Sequence, residues 1–207
     1  MSEINRIGIF GGTFNPVHKG HEMTAVNFYD KCKLNELIIM PCSIPPHKQL
    51  DASVTALHRL EMCEIAFAKY YDVINIRVSD FEMKREGTSY SIDTLIALNE
   101  EYKNDKLYFL AGSDMFLYLE KWYRYRDLLD LCVFTVAFRN NSDKEQVMAL
   151  YDKLSKIGAN IELLENEPFE ISSTELRSRI NDTTFEAENY ISRKVLDYIK
   201  EKRIYVQ

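Results

Sequence analysis

Two histidines set three residues apart behind a glycine pair, and an arginine one helical turn after a cluster of hydroxyls, are the side chains here with chemistry to offer. The stretch Gly11-Gly12-Thr13-Phe14-Asn15-Pro16-Val17-His18-Lys19-Gly20-His21 stands where an apolar run ends and helical periodicity begins. A helix start presents unpaired backbone N–H groups and the positive end of its dipole, and glycines let an anion approach the main chain. Such a junction suits phosphate. His18 and His21, on one face of the first turn, can both point toward an anion docked over it. Ile171-Ser172-Ser173-Thr174-Glu175-Leu176-Arg177 repeats the logic further along. Ser172 is expected to cap a helix in a capping box with Glu175, while Ser173, Thr174 and free N–H groups face a second part of the anion. Arg177 adds a forked donor for oxygens that gain charge.

Each pattern has a plainer reading, surface histidines after a turn or an ordinary capped helix, and only their combination argues for a site. No dinucleotide-type G-x-G-x-x-G and no G-x-x-x-x-G-K-[ST] loop occurs, so hydride transfer and P-loop ATPase chemistry lose their usual support.

The elements that must position these groups follow from periodicity. Short apolar runs at Arg6–Phe10, Glu36–Pro41, Val73–Val78, Lys106–Ala111, Val133–Phe138 and Asn160–Leu164 predict strands. Helical faces lie between them, one marked by Leu60, Cys63, Phe67 and Tyr70, another by Ile92, Leu95 and Ile96. Strands separated by crossover helices predict an α/β fold, a doubly wound parallel sheet whose ligands bind beyond the carboxyl ends of the strands. Residues 1–207 read as a single domain, with 172–207 as a C-terminal helical subdomain at the sheet edge, and Asn140–Asp143 as the clearest polar loop.

A chain of 207 residues with 46% hydrophobic content can bury a substantial core, and its net charge of −6 argues against nucleic acid as a partner while allowing a local cationic pocket. Cys32, Cys42, Cys63 and Cys132 are scattered, without zinc-like spacing, and read as reduced, partly buried thiols. No apolar stretch approaches the length needed to span a membrane, and the N-terminal run is too short for a signal segment, so a cytoplasmic protein is expected. Homo-oligomerisation is left open.

The H-x-G-H pattern and the I-S-S-T-x-x-R element together resemble the two ATP-binding signatures of the nucleotidyltransferase superfamily. Three further segments narrow the resemblance: Ile44-Pro45-Pro46-His47-Lys48, Gly87-Thr88-Ser89-Tyr90-Ser91-Ile92-Asp93-Thr94-Leu95, and Gly112-Ser113-Asp114 with Leu119-Glu120-Lys121-Trp122-Tyr123. In order and spacing they are similar to segments of the bacterial nicotinate-nucleotide adenylyltransferases, over nearly the whole chain. The resemblance implies a Rossmann-like nucleotidyltransferase fold and transfer of AMP from ATP to nicotinate mononucleotide, giving deamido-NAD and pyrophosphate by direct in-line attack. It implies that His18, His21 and Arg177 are catalytic. The ATP site would comprise Gly11, Gly12, Thr13, Phe14, His18, Gly20, His21, Gly112, Asp114, Ile171, Ser172, Ser173, Thr174 and Arg177. Nicotinate mononucleotide would meet His47, Lys48, Tyr90, Ser91, Trp122 and Tyr123, and Mg²⁺ would arrive with ATP rather than in a protein cage.

Three positions depart from the usual family pattern: Asn15 where Asp is common, Ser113 where Ala or Gln often occurs, and Ser91 where Thr is frequent. Rival readings are an adenylyltransferase for nicotinamide mononucleotide or phosphopantetheine, and a nucleotide-binding sensor without turnover. The phosphopantetheine adenylyltransferases are shorter and usually lack the I-P-P-H-K and K-W-Y segments; a sensor would be expected to lose a histidine or Arg177.

Overall fold

Residues 4–45, 53–138, 143–166, 169 and 171–205 are described by a computed structural model. The strands are β1 (Arg6–Gly12), β2 (Glu36–Pro41), β3 (Ile76–Val78), β4 (Lys106–Gly112), β5 (Val133–Ala137) and β6 (Ile161–Leu164). All neighbouring pairs are parallel, in the order β3-β2-β1-β4-β5-β6. The helices are α1 (Lys19–Lys31), α2 (Ala56–Phe67), α3 (Ser91–Glu101), α4 (Ser113–Phe116), α5 (Tyr125–Leu131), α6 (Lys144–Ser155), α7 (Ser173–Arg179) and α8 (Arg193–Glu201).

Because a parallel sheet is covered on both faces, its strands are apolar at nearly every position, and alternate side chains enter different cores. Phe10, Leu37, Ile39 and Leu110 join Ala25 and Phe28 of α1, Met62 and Phe67 of α2, and Leu176, Val195 and Ile199 of the tail. Ile9, Ile38, Phe109 and Phe134 join Ile92, Leu95 and Leu98 of α3, Leu128 of α5, and Val147 of α6. Burying one such side chain stabilises by roughly 1.5–3 kcal/mol. An exposed i,i+4 pair such as Arg193–Asp197 is screened by solvent and adds little, so the two apolar faces hold the layers together.

The chain winds to one side of β1 through β2 and β3 and to the other through β4, β5 and β6, so connections leave β1 and β4 in opposite directions. A crevice opens between their carboxyl ends. The α/β, doubly wound expectation holds. Two details differ. The first residues of the expected third strand form a turn instead, with the N–H groups of Val73 and Ile74 both donating to Tyr70 O, and the strand begins at Ile76. At the other end of the sheet, β1 runs past Phe10, because Gly11 and Gly12 pair with Met40 and Pro41 of β2; the glycines belong to the strand.

The tail packs by its apolar residues into the same cluster as α1 and α2, with α8 lying against α2. Among the described residues no helix is long and apolar enough to cross a membrane. Positions 140–142 of the expected polar loop lie outside the described residues.

Gly8 leaves no room for a side chain: a Cβ there would stand 2.3 Å from Cδ1 of Leu34, which follows α1, and 3.0 Å from the Phe28 ring of α1. Gly8→Ala is expected to destabilise the fold by about 1–3 kcal/mol, through overpacking. Urea denaturation checks this, and an unchanged midpoint would mean that α1 is not seated so tightly on β1.

Candidate active site

Beyond β1 the backbone turns sharply at Phe14, whose φ of 48° lies in the left-handed region and whose side chain is buried. That conformation is unfavourable for a residue with a Cβ, and packing holds it: the ring meets Phe10 edge-on at 5.3 Å and His21 at 5.1 Å. Gly12 makes room, since a Cβ there would lie 2.9 Å from the Phe14 ring. The Asn15–Pro16 peptide is cis.

His18 is the extended N-cap residue of α1 rather than part of its first turn. Its backbone N–H donates to His21 Nδ1 at 3.2 Å, and the imidazole centroids are 3.8 Å apart. With Nδ1 accepting, neutral His21 carries its proton on Nε2, as a donor. The helix start is less open than the sequence suggests, because Lys19 N–H is taken by Tyr190 O at 2.8 Å. Gly20 has its own steric reason: a Cβ there would stand 2.6 Å from the ring of Phe169, which lies nearly parallel to His18 at 5.7 Å.

The second motif meets the first directly. Ser172 Oγ accepts from Glu175 N–H at 3.1 Å and so caps α7. The expected box is only half formed, because the Glu175 carboxylate turns along the helix to Arg179 at 3.3 Å. Ser173 Oγ donates to Pro16 O at 3.0 Å, so its proton is used within the protein rather than pointed at a ligand. Arg177 Nη1 donates to Asn15 O at 2.6 Å and Nη2 to Thr174 Oγ1 at 3.2 Å. The Tyr205 hydroxyl of the tail donates to the Asn15 side-chain oxygen.

These groups line a cavity of about 620 Å³ at the carboxyl ends of β1 and β4. The end of β1 and the loop after it contribute Gly11, Gly12, Thr13, Phe14, His18 and His21, the α7 start contributes Ser172, Ser173, Thr174 and Arg177, and the end of β4 contributes Gly112 and Asp114. The start of α3 and the segment before α5 add Tyr90, Ser91, Trp122 and Tyr123 to the same lining. Tyr90 and Tyr123 rings sit 5.0 Å apart at the rim, and Trp122 stands edge-on to Phe109 and Phe134 of the sheet. Ser91 is the first residue of α3 and Tyr90 its N-cap, while Asp114 lies in the first turn of α4 behind an N-cap at Gly112, so neither Ser91 nor Asp114 serves as a cap. Gly20 and Ile171 line a smaller adjoining cavity of about 70 Å³, which His18 and His21 also border. His47 and Lys48 lie outside the described residues.

Sequence reasoning missed Glu82, Ser89, Cys42 and Phe109 in the cavity wall, and Arg59 behind it. Ser89 stood next to the S-Y-S motif and could have been drawn in with it; a lone Glu or Arg in a helical run carries no such signal. Burial pushes the Glu82 carboxyl up, while the hydroxyls of Thr94 and Ser89 and the charges of Arg85 and Arg59 pull it back. Burial likewise pushes up the thiols, Cys32 and Cys132 to about 12 and Cys42 and Cys63 in the same direction, and all four are free.

Comparison with known proteins places this architecture. The cytidylyltransferase-like family model matches residues 9–179. The nicotinate-nucleotide adenylyltransferase of Bacillus subtilis is 36% identical over 203 residues, covering 98% of this chain and 99% of that one. A probable nicotinate-nucleotide adenylyltransferase of Clostridium acetobutylicum is 36% identical over 199 residues, covering 96% and 98%. Among solved structures, Plasmodium falciparum nicotinic acid mononucleotide adenylyltransferase complexed with NaAD superposes with a TM-score of 0.81 at 22% identity, covering 97% of each chain. At that identity the likeness speaks for the fold.

The thiols yield a prediction. The thiolate is the reactive form, so a raised pKa means less of it at a given pH, about tenfold for each unit. Native protein at pH 8 is expected to react with a disulfide reagent such as DTNB at least ~10-fold more slowly than the denatured chain, and faster as pH climbs. The sign for stability is the same: neutral thiols favour the fold below the unfolded thiol pKa, and this contribution is lost as pH rises through the raised values. Cys42, half-buried in the cavity wall, is expected to react before the other three, and rapid labelling of Cys32, Cys63 or Cys132 at pH 8 would contradict their burial.

Proposed function

The chain belongs to the cytidylyltransferase-like family and, within it, to the nicotinate-nucleotide adenylyltransferases, and from that membership we propose how its own residues carry the reaction. The enzyme transfers AMP from ATP to nicotinate mononucleotide, giving deamido-NAD and pyrophosphate in NAD biosynthesis. The observation that carries the residue assignment is the meeting of both phosphate motifs in one cavity, with Arg177 hydrogen-bonded to Asn15 O and His18 and His21 on the same wall.

The attacking group is the 5′-phosphate of the acceptor, already an anion, so no side chain has to remove a proton. An oxygen of that phosphate forms a bond to the α-phosphorus of ATP as the bond to the bridging α–β oxygen breaks, and that electron pair leaves with pyrophosphate. The tasks left to the protein are to align two mutually repelling phosphates and to stabilise charge on the leaving group. His21, which offers Nε2–H, and His18 beside it are proposed to donate to the triphosphate. Arg177 retains guanidinium N–H groups beyond the two hydrogen bonds it makes to Asn15 and Thr174, and these face the oxygens that gain charge. The loop Gly11–Phe14 and the α7 start, Ser172–Thr174, cradle the rest, with Gly20 and Ile171 on the nucleoside side and Gly112 and Asp114 toward the ribose.

At the other end, Ser91 and the backbone around Trp122 and Tyr123 are proposed to bind the nicotinate carboxylate beside an aromatic wall that includes Tyr90, with His47 and Lys48 on the acceptor side. Enzymes of this kind use a divalent metal with ATP, and Mg²⁺ is the proposed ion. The ion would be held chiefly by the phosphate oxygens of ATP, and the Thr13 hydroxyl, in the loop proposed to face the triphosphate, would add a hard oxygen of the type that Mg²⁺ prefers. When bound, the ion would neutralise phosphate charge. Free thiols and ATP as substrate fit a reaction in the cytoplasm.

His18→Ala and His21→Ala are each expected to lower kcat by ~100-fold to ~1000-fold with little change in KM, the signature of contacts strengthened in the transition state. Steady-state pyrophosphate release measures this; wild-type turnover in both variants would remove the imidazoles from catalysis. With the same assay, nicotinate mononucleotide should be preferred over nicotinamide mononucleotide, by up to ~10⁴-fold in kcat/KM if the carboxylate's partners are left unpaired by the amide. Equal values for the two would mean that the carboxylate is not being read, and turnover with phosphopantetheine instead would move the acceptor assignment altogether.

A further inference from the structure

Arg59, in the first turns of α2, is fully buried, at 0% exposure. Among the described residues its guanidinium hydrogen-bonds only to neutral acceptors: Nη1 donates to Thr13 O at 2.9 Å and Cys42 O at 2.6 Å, with Cys42 Sγ at 3.8 Å, and Nη2 donates to Ser43 O at 2.7 Å. Nε has no hydrogen-bond partner among the described residues. A cation in this place is costly twice over, once for leaving water and once for standing near the positive end of a helix dipole. An apolar side chain would fill the same volume without either cost.

What the fork achieves is a join between two loops. Thr13 belongs to the loop after β1 that faces the triphosphate end of the cavity, and Cys42 and Ser43 follow β2. The Ser43 peptide is then gripped from its other side, where its N–H donates to Ser89 Oγ at 3.1 Å, while Ser89 N–H donates to Ile44 O at 3.0 Å. Ser89 is tied in turn to the buried Glu82, whose Oε1 accepts from Thr94 of α3 at 2.7 Å. Hydrogen bonds therefore link Thr13 through Arg59 and Ser43 to Ser89, and the main chain carries the link on to its neighbours Tyr90 and Ser91, which line the same cavity.

We propose that Arg59 is a positioning residue for the two-substrate step, holding the loop that faces ATP in register with the wall that faces the acceptor. The inference rests on the assignment of the two ends of the cavity given above. Each half-site stands on its own helix start, α1 with α7 for one and α3 for the other, so either substrate can bind without the bridge. In-line attack depends on the distance between them, where a misplacement of about 1 Å can cost ~100-fold. Lysine keeps the charge but concentrates its donors at one point and cannot span the two loops as the guanidinium fork does.

The test uses the full-length enzyme with Arg59→Lys and, from the other side of the bridge, Ser89→Ala. Calorimetry measures the affinity of each variant for a non-hydrolysable ATP analogue alone and for nicotinate mononucleotide alone; pyrophosphate release measures kcat with both substrates. Both binary affinities are expected to stay within about threefold of wild type while kcat falls ~10-fold to ~100-fold, and the double variant should fall little further than the worse single one, because both break the same bridge. Wild-type kcat in Arg59→Lys overturns the proposal, as do binary affinities that fall in step with kcat, the mark of general loosening. If Arg59→Lys fails to fold, Ser89→Ala decides alone by the same criteria. A wild-type enzyme that releases no pyrophosphate from this substrate pair overturns the functional assignment, and this inference with it, by a separate control.

Discussion

Two main-chain carbonyls on the loop after β1, those of Asn15 and Pro16, accept hydrogen bonds from Arg177 and Ser173, more than 150 positions further along the chain. The candidate active site depends on this contact. The first loop carries the imidazoles, the second motif carries the guanidinium, and neither alone encloses a phosphate chain. The tail strengthens the same point, with Tyr205 on the Asn15 side chain and Tyr190 on Lys19 N–H. Residues from both ends of the sequence are thus committed to one short loop, which explains why the C-terminal helices are packed into the main core.

Charge is arranged against the overall balance of the molecule. A protein of net charge −6 sets His18, His21 and Arg177 around one cavity, and keeps the Arg59 guanidinium wholly out of water. A donor fixed by hydrogen bonds, as Arg177 is by Asn15 O, need not reorganise when charge develops beside it. Glu82 shows the counterpart: a carboxyl pushed up by burial and steadied by hydroxyls and nearby guanidinium groups, in the same network that spaces the two ends of the cavity.

Much of this was legible in the sequence because it depends on local pattern. Alternating apolar runs and helical faces indicated a doubly wound parallel sheet, and the sheet formed with six strands in the expected places. The two phosphate motifs were visible because glycines, hydroxyls and helix starts have short-range meaning. Even Ser91, Trp122 and Tyr123 could be named, through resemblance, and the structure puts them in the lining of the cavity. Boundaries were less secure: Val73 sits in a turn, Gly11 and Gly12 extend β1, and Glu175 pairs with Arg179 where a capping box was expected.

By itself the sequence determined which segments become strands and helices, and which residue types can hold phosphate, since both follow from side-chain spacing and local backbone preference. Only the tertiary structure decided which of those donors are already engaged, as Ser173 and Lys19 are, and that Arg59, Glu82 and Ser89 stand between the two ends of the cavity. The physical reason is that a hydrogen bond between distant segments is fixed by how layers pack, and an isolated arginine in an amphipathic helix looks the same in sequence whether it ends in water or in the core.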